Sequence, residues 1–270
     1  MKYVPVLDKG FRPMYAEFKK YSEEAAKTEN KLLKICVERN DGYNYIYEYK
    51  IFANGHKDEN NLMAERIVKT ILWLVGGYKI YLAGDENVYE FIKAAYTDKG
   101  IRAFDKNFME RVYEKPFEVI MCDEKNFPKE KKCSLSVGGH LDGCRIGFDA
   151  GGSDRKVSAV IDGKVVYSEE VVWFPKINSD PDYHYNEILT ALKTAASKMP
   201  RVDAIGVSSA GVYVNNKIMV ASLFLKVNDE DFEKKVKTMY IDVAKELGEN
   251  IPLEVANDGD VTALAGAIDL

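Results

Sequence analysis

Hydrophobic and polar positions divide the chain into two runs of alternating α and β signals. Residues 14–34 are charged and helix-prone. Residues 43–52 switch to period two, with Tyr43, Tyr45, Tyr47 and Tyr49 on one face and Asn44, Ile46, Glu48 and Lys50 on the other, which predicts a strand. Such a tyrosine row serves either as a ligand platform or as a packed sheet face; the ease with which aromatics pack on pleated surfaces favours packing. Asn60 and Asn61 offer caps for a helix running to Val75, striped by Met63, Ile67, Ile71 and Leu74 and closed by Gly76-Gly77. A strand over 78–83, helices over 87–96 and 104–114, and a strand over 117–122 follow. Asp85-Glu86-Asn87 reads as a helix cap before a ligand site. Residues 123–132 are polar, contain Pro128 and read as a linker, separating a region 1–142 from a region 143–270.

In the second region an apolar strand with Ile146 and Phe148 runs into Asp149 and Gly151-Gly152, and a second strand leaves through Val157 and Val160. Asp162-Gly163 is a strong two-residue hairpin signal, so 164–172 forms a third strand. A helix over 185–199 carries Ile188, Leu192, Ala195 and Met199 on one face and stops at Pro200. A strand over 202–207 ends in Ser208-Ser209-Ala210-Gly211, and 217–223 reads as a strand or an extended return. Asn228 or Asp229 caps a long helix striped by Phe232, Val236, Met239, Tyr240, Val243 and Leu247. A strand over 252–256 delivers Asn257-Asp258, and a small-residue helix over 261–267 ends the pattern.

Composition narrows the classes. The 270 residues are 46% hydrophobic and 30% charged, as in a globular protein, and the net charge of -5 gives no electrostatic reason to expect nucleic-acid binding. Cys36, Cys122, Cys133 and Cys144 form no C-x-x-C pair, and His56, His140 and His184 are scattered, which argues against a zinc or redox motif. The cysteines read as reduced thiols of a cytoplasmic protein. No signal-peptide core opens the chain, and the most apolar stretch, 67–75, is interrupted by Lys69 and far short of a membrane span.

The chemistry concentrates at strand ends. Two glycines at a turn let the backbone approach a ligand and let its amides converge on an anion, while Asp149 beside them offers a ligand to a divalent cation. Taken alone, the same residues describe an ordinary hairpin tip. Asn257-Asp258 likewise describes a cap before the last helix as well as a site. Three polar clusters nevertheless fall after strands, around Asp149–Ser153, Ser208–Gly211 and Asn257-Asp258, and ligands of open α/β sheets sit at the carboxyl ends of strands.

The order β-β-β-α-β-α-β-α is that of the ribonuclease-H-like half-domain from which actin-like sugar kinases are built twice over. The segments GFDAGGSDRKVSAVIDGKVV, AIGVSSAGVYVNN and ANDGDVTALAGA resemble three motifs of the ROK family of sugar kinases and repressors, over residues 143–270. The resemblance implies an actin-like half-domain of mixed sheet preceded by an additional α/β region, and ATP-dependent phosphorylation of a sugar hydroxyl with Mg²⁺. It implies Asp258 as general base, Asn257, Ser209 and Gly211 at the sugar, Gly151, Gly152 and Ser153 near the phosphates, and Asp149 on the phosphate and metal side. A non-catalytic sugar sensor with the same fold is the alternative.

The chain departs from the family where Thr-Lys usually follows Gly-Gly: here Ser153-Asp154-Arg155-Lys156 stands, with an acid beside the turn. The family's second phosphate turn and its later sugar and zinc motifs are not found by Leu270. The expectation is a chain truncated after one half-domain, with a second half supplied by the longer protein or by another chain; the resemblance also implies a homodimer. The expected partners are a sugar and a nucleotide, with no nucleic acid or membrane.

Overall fold

A computed structural model describes residues 5–132 and 140–269, which form two compact units, 1–134 and 135–270.

The first unit is built on a four-stranded sheet of order β2-β1-β3-β4, from β1 (Asn30–Glu38), β2 (Asn44–Phe52), β3 (Lys79–Ala83) and β4 (Glu118–Met121). Its helices are α1 (Met14–Ala25), α2 (Lys57–Val75), α3 (Glu86–Ala95) and α4 (Ala103–Tyr113). The register opposes Leu33 to Tyr49 and Ile35 to Tyr47, so the tyrosine row and the aliphatic side chains of β1 share one face. That face is buried under helices: Phe18 and Tyr21 of α1 meet Tyr49 at 5.6 and 6.5 Å between ring centroids. The packed-face reading of the tyrosines therefore holds for Tyr47 and Tyr49. The opposite face is mixed, with Cys36 fully buried, and it pairs its charges across strands, Lys34 with Glu48 at 3.6 Å and Lys79 with Glu118 at 2.7 Å.

Two expectations fail here. The helix-prone run 14–34 stops at Ala25, and its tail becomes β1, an inner strand of the sheet. Leu33, Ile35 and Val37 are fully buried, and burying that alternating set in a sheet outweighs the helix propensity of the lysines between them. Asn60 does not cap α2, which begins at Lys57. It is buried inside the helix, where Oδ1 accepts from the Tyr21 hydroxyl (2.5 Å) and from the Phe52 amide (3.2 Å), and Nδ2 donates to the Phe52 carbonyl (2.9 Å). Asp85 does cap α3, accepting from the Val88 amide at 2.8 Å. Trp73, 44% exposed on α2, donates to Asp105 of α4 at 2.5 Å.

The second unit holds a five-stranded sheet of order β11-β8-β5-β6-β7, from β5 (Cys144–Ala150), β6 (Asp154–Ile161), β7 (Lys164–Val172), β8 (Ala204–Ser209) and β11 (Leu253–Asn257). β5, β6 and β7 form the antiparallel meander, and β8 and β11 add parallel to β5. This is the ribonuclease-H-like order expected of an actin-like half-domain. Asp162 and Gly163 make the predicted turn, both with positive φ (47° and 77°).

Alternation along the strands decides the layers. Ile146, Phe148, Val157, Ile205, Val207 and Val255 point to a core shared with α5 (Pro181–Ala196) and α7 (Met239–Leu247), and α8 (Asp258–Asp269) lies against the other face. Arg155 also points coreward, paired with Glu187 of α5 at 2.8 Å. A hairpin the sequence pattern did not separate, β9 (Val212–Val214) and β10 (Lys217–Val220), turns through Asn215-Asn216, again both at positive φ. Asn216 then covers the free edge of β11, donating to the Leu253 carbonyl and accepting from the Val255 amide.

The long helix expected from Asn228 is not continuous. Asn228 caps the short α6 (Asp229–Asp231), a wide five-residue-repeat turn follows at Phe232–Val236, and α7 resumes at Met239. Phe232 and Val236 of the turn and Met239, Tyr240 and Val243 of α7 are all buried, so the apolar stripe runs on through the turn.

Cys36, Cys122 and Cys144 are free thiols, and Cys133 lies outside the described residues. Among the described residues no helix is long and apolar enough to cross a membrane.

Candidate functional site

The three parallel strands end in register. Ala150 of β5 pairs with Ser209 of β8, and Ser209 with Asn257 of β11. The Gly-Gly turn, the Ala210-Gly211 segment and Asp258 therefore leave the sheet from one end, across two strand spacings, roughly 10 Å. One position earlier, Asp149, Ser208 and Ala256 form a second row on the opposite face, the face that α8 overlies.

That second face is hollow. Gly147, Ser158, Ser168, Gly206, Ser208 and Ala256 are too small to fill the space between the sheet and Val261 and Leu264 of α8, leaving a cleft of about 460 Å³. Asp149 and Lys156 line the same cleft. Asp149 is half-buried and Asp258 exposed, so both carboxylates are within reach of a ligand.

The turn itself is tightly held. A Cβ at Gly151 would come within 2.5 Å of the Asp154 carbonyl, so only glycine allows the backbone to close there. Trp173 fixes both sides of the turn: its indole donates to the Gly151 carbonyl (2.8 Å) and its amide to the Ser153 carbonyl (3.1 Å). Asp154, the acid out of place in a phosphate turn, is neutralised locally. It accepts from Lys156 (2.9 Å) and from the Ser153 hydroxyl (2.9 Å), which together hold its carboxyl below the usual carboxylate range. Arg155 plays no part in this, since it turns into the core.

A further cation comes from a loop the sequence pattern left unassigned. Lys176 stands over the turn so closely that a Cβ at Gly152 would lie 2.6 Å from its Nζ. The loop is anchored by His184, fully buried, whose ring nitrogens lie 3.0 Å from the Asp180 carbonyl and 2.9 Å from the Pro175 carbonyl.

At the opposite side of the strand ends, Asn257 donates from Nδ2 to the Gly211 carbonyl (2.9 Å) and accepts at Oδ1 from the Gly259 amide (2.8 Å). It ties the Gly211 segment to the start of α8. Gly211, at φ +154°, sits where a Cβ would meet the Val220 carbonyl at 2.6 Å. Ser209 is fully buried and accepts from the Tyr240 hydroxyl at 3.3 Å, so Ser208, one residue earlier, is the serine that lines the cleft. The strand's two-residue period sends the neighbours to opposite faces. Beside Ser209, burial pushes the Tyr213 hydroxyl up to about 12, with a smaller contribution from the charge of Asp258. Burial likewise raises Tyr240, and Asp149 adds to it. The rings of Tyr213 and Tyr240 are 6.4 Å apart.

Among the described residues no group of three or more His, Cys, Asp or Glu side chains is gathered for a metal. Mg²⁺ in phosphoryl-transfer sites takes one or two carboxylates and draws its remaining ligands from phosphate oxygens and water. Asp149 fits that demand for a metal arriving with a nucleotide.

No protein-family model and no curated protein matches the chain. Among solved structures it is similar to a glucokinase from Parabacteroides distasonis (20% identity, 44% of this chain and 32% of that one, TM-score 0.36). It is similar to a proposed N-acetylmannosamine kinase from Listeria monocytogenes (24%, 43% and 35%, TM-score 0.30) and to a ROK-family transcriptional regulator homologous to the E. coli MLC protein (17%, 47% and 31%, TM-score 0.32). The chain spans about a third of the length of these structures.

Of the residues singled out from the sequence, the turn, Gly211 and Asn257-Asp258 come to one end of the sheet, and Lys156, not Arg155, is the residue that offsets Asp154. Lys176, Trp173 and the Tyr213–Tyr240 pair were not singled out. Lys156 was legible in principle, because the hairpin register sets it opposite Asp149. Lys176 was not, since its place depends on how the loop folds back over the turn.

Proposed function

We propose that residues 135–270 form the phosphate- and substrate-binding half of an ATP-dependent sugar kinase. The observation that carries this reading is the shared register of Ala150, Ser209 and Asn257, which sends a glycine turn with an overlying lysine and an exposed carboxylate off the same sheet end. The turn amides and Lys176 bind the phosphates of ATP, and Asp149 holds the accompanying Mg²⁺. When bound, that ion offsets negative charge on the phosphate oxygens.

Asp258 takes the proton from the attacking sugar hydroxyl. The new bond forms between that oxygen and the γ-phosphorus, the bond to the bridging oxygen breaks, and ADP leaves with the electron pair. Asn257 and Ser209 act as positioning residues, the first holding the Gly211 segment and the second held by Tyr240, while Gly211 and Ser208 border the space for the sugar. A cytoplasmic location agrees with a reaction that consumes ATP.

The test is calorimetric titration with MgATP and with glucose or N-acetylmannosamine, followed by a phosphorylation assay on the full-length protein. MgATP binding that is lost in Lys176→Glu supports the kinase reading. Sugar binding with no nucleotide binding overturns it in favour of a sensor.

A further inference from the structure

Tyr45 is the member of the tyrosine row that packing leaves over: it is 38% exposed and walls two hollows of the first unit at once. The larger, of about 340 Å³, is a groove between α1, β2 and α2, walled by Phe18, Tyr47, Ile67, Ile71 and Leu74. It follows α2 from Arg66 to Val75, about 14 Å of helix. Arg66 is the charged residue of its wall, and its Nε lies 3.6 Å from Glu65, a carboxylate that Arg102 also holds. The Thr70 hydroxyl is spent on the Arg66 carbonyl (2.8 Å). Tyr15 and Leu74 at the rim are each 77% exposed, so the groove presents apolar surface to water.

The smaller hollow, of about 170 Å³, shares Tyr45 and Val75 with the groove and is basic, lined by Arg39, Lys131 and Lys132. Two of these cations stand over one ring, Arg39 at 5.8 Å and Lys131 at 5.2 Å from the Tyr43 centroid. Among the described residues neither forms an ion pair, and Lys131 donates instead to the Asp41 carbonyl (2.6 Å). The acids nearby are engaged elsewhere. Glu130 pairs with Lys132 at 2.7 Å, the Asp41 carboxylate accepts from the Asn40 amide at 2.9 Å, and Glu38, on the opposite face of β1, accepts from the Tyr81 hydroxyl at 3.1 Å. With Glu130 and Asp41 both counted against Arg39, Lys131 and Lys132, the hollow stays positive, and the roughly half negative charge at the carbonyl end of α2 beside Val75 does not reverse it. The ring holds two like charges near each other, and an anion between them lowers their repulsion.

We propose that the two hollows form one site for a free aliphatic carboxylate of the fatty-acid class. Its alkyl chain lies in the groove against Phe18, Ile67, Ile71 and Leu74, and its carboxylate seats between Arg39 and Lys131. The length of the groove suits a chain better than a single ring, and its volume falls within the roughly 300–1,000 Å³ of small-molecule sites. The proposal rests on the first unit alone and stands apart from the kinase reading of the second.

Calorimetry on the whole chain, with octanoate, 1-octanol and acetate in separate arms, separates the chain from the charge. The expected result is binding of octanoate at about 100 µM or tighter, of octanol at least about tenfold more weakly, and no binding of acetate at about 10 mM. Leu74→Gln, at an exposed position, weakens octanoate and octanol alike by about fivefold or more. Arg39→Gln combined with Lys131→Gln weakens octanoate to the level of octanol and leaves octanol unchanged, a split that loss of a merely structural contact would not give. Melting temperatures equal to the parent's show that the variants fold. Sedimentation equilibrium tests the rival occupant, a second copy of the chain. The proposal is overturned if octanoate does not bind at about 5 mM, if it binds no tighter than octanol, if the folded variants bind as the parent does, or if the chain forms a dimer that Leu74→Gln dissociates.

Discussion

Each unit buries one face of its sheet under helices, and the two differ in how they finish the other face. In the first unit the second face carries long charged side chains paired strand to strand, Lys34 with Glu48 and Lys79 with Glu118, beside larger side chains such as Ile46 and Tyr81. In the second it is lined by Gly147, Gly206, Ser158, Ser208 and Ala256, with Asp149 and Lys156 at one end and α8 spaced away from it. Side-chain volume makes the difference. Pairing uses up the charges of the first face, while smallness leaves the second with a hollow and a carboxylate able to meet a ligand.

The largest test of that contrast is chemical. Asp258→Asn is expected to lower phosphoryl transfer by roughly 10²–10⁴-fold with an unchanged melting temperature, measured by steady-state kinetics on the full-length protein. Glu48→Gln on the other sheet should leave the rate unaltered. Next comes the turn: Gly151→Ala drives a Cβ against the Asp154 carbonyl and should cost about 1–3 kcal/mol in chemical denaturation, weakening MgATP binding with it. Ser208→Leu fills the hollow and should weaken ligand binding by about tenfold or more while changing stability by less than about 1 kcal/mol, whereas Glu48→Gln removes a half-exposed pair and should cost no more than about 1 kcal/mol.

The smallest effect is a titration. Arg201, and then the Cys144 amide, hold the Asp203 carboxyl below the ordinary aspartate range. The folded value is the lower one, so this contribution is complete above the unfolded value of about 3.9 and fades as pH falls through the depressed one. NMR should find the Asp203 midpoint below that of an unstructured aspartate; a midpoint at or above it removes the pin from the start of β5.

Much of the second unit was legible in its sequence because its signals are local. Asp162-Gly163 fixes a hairpin by turn geometry, and the meander, helix and strand order follow from spacing. Asn215-Asn216 carried the same kind of turn signal for β9 and β10 and went unread. The first unit hid β1 because Lys31 and Lys34 look like helix surface until Leu33, Ile35 and Val37 are seen to share one buried face. At the site, Asp149, Gly211 and Asn257-Asp258 were visible as residue types. The parity that sends Ser208 to the cleft and Ser209 to the core depends on strand register, and the arrival of Lys176 over Gly152 depends on a loop closing through His184. Neither is encoded within a short window of the chain.

The indole of Trp173 has a use beyond architecture. The protein has two tryptophans, one in each unit: Trp173 is 1% exposed and bonded to the glycine turn, and Trp73 is 44% exposed on α2. A sheltered and a wet indole emit at different wavelengths, so a single fluorescence spectrum reports on both halves of the molecule. The blue component follows whatever seats on the turn, and the red one serves as an internal reference.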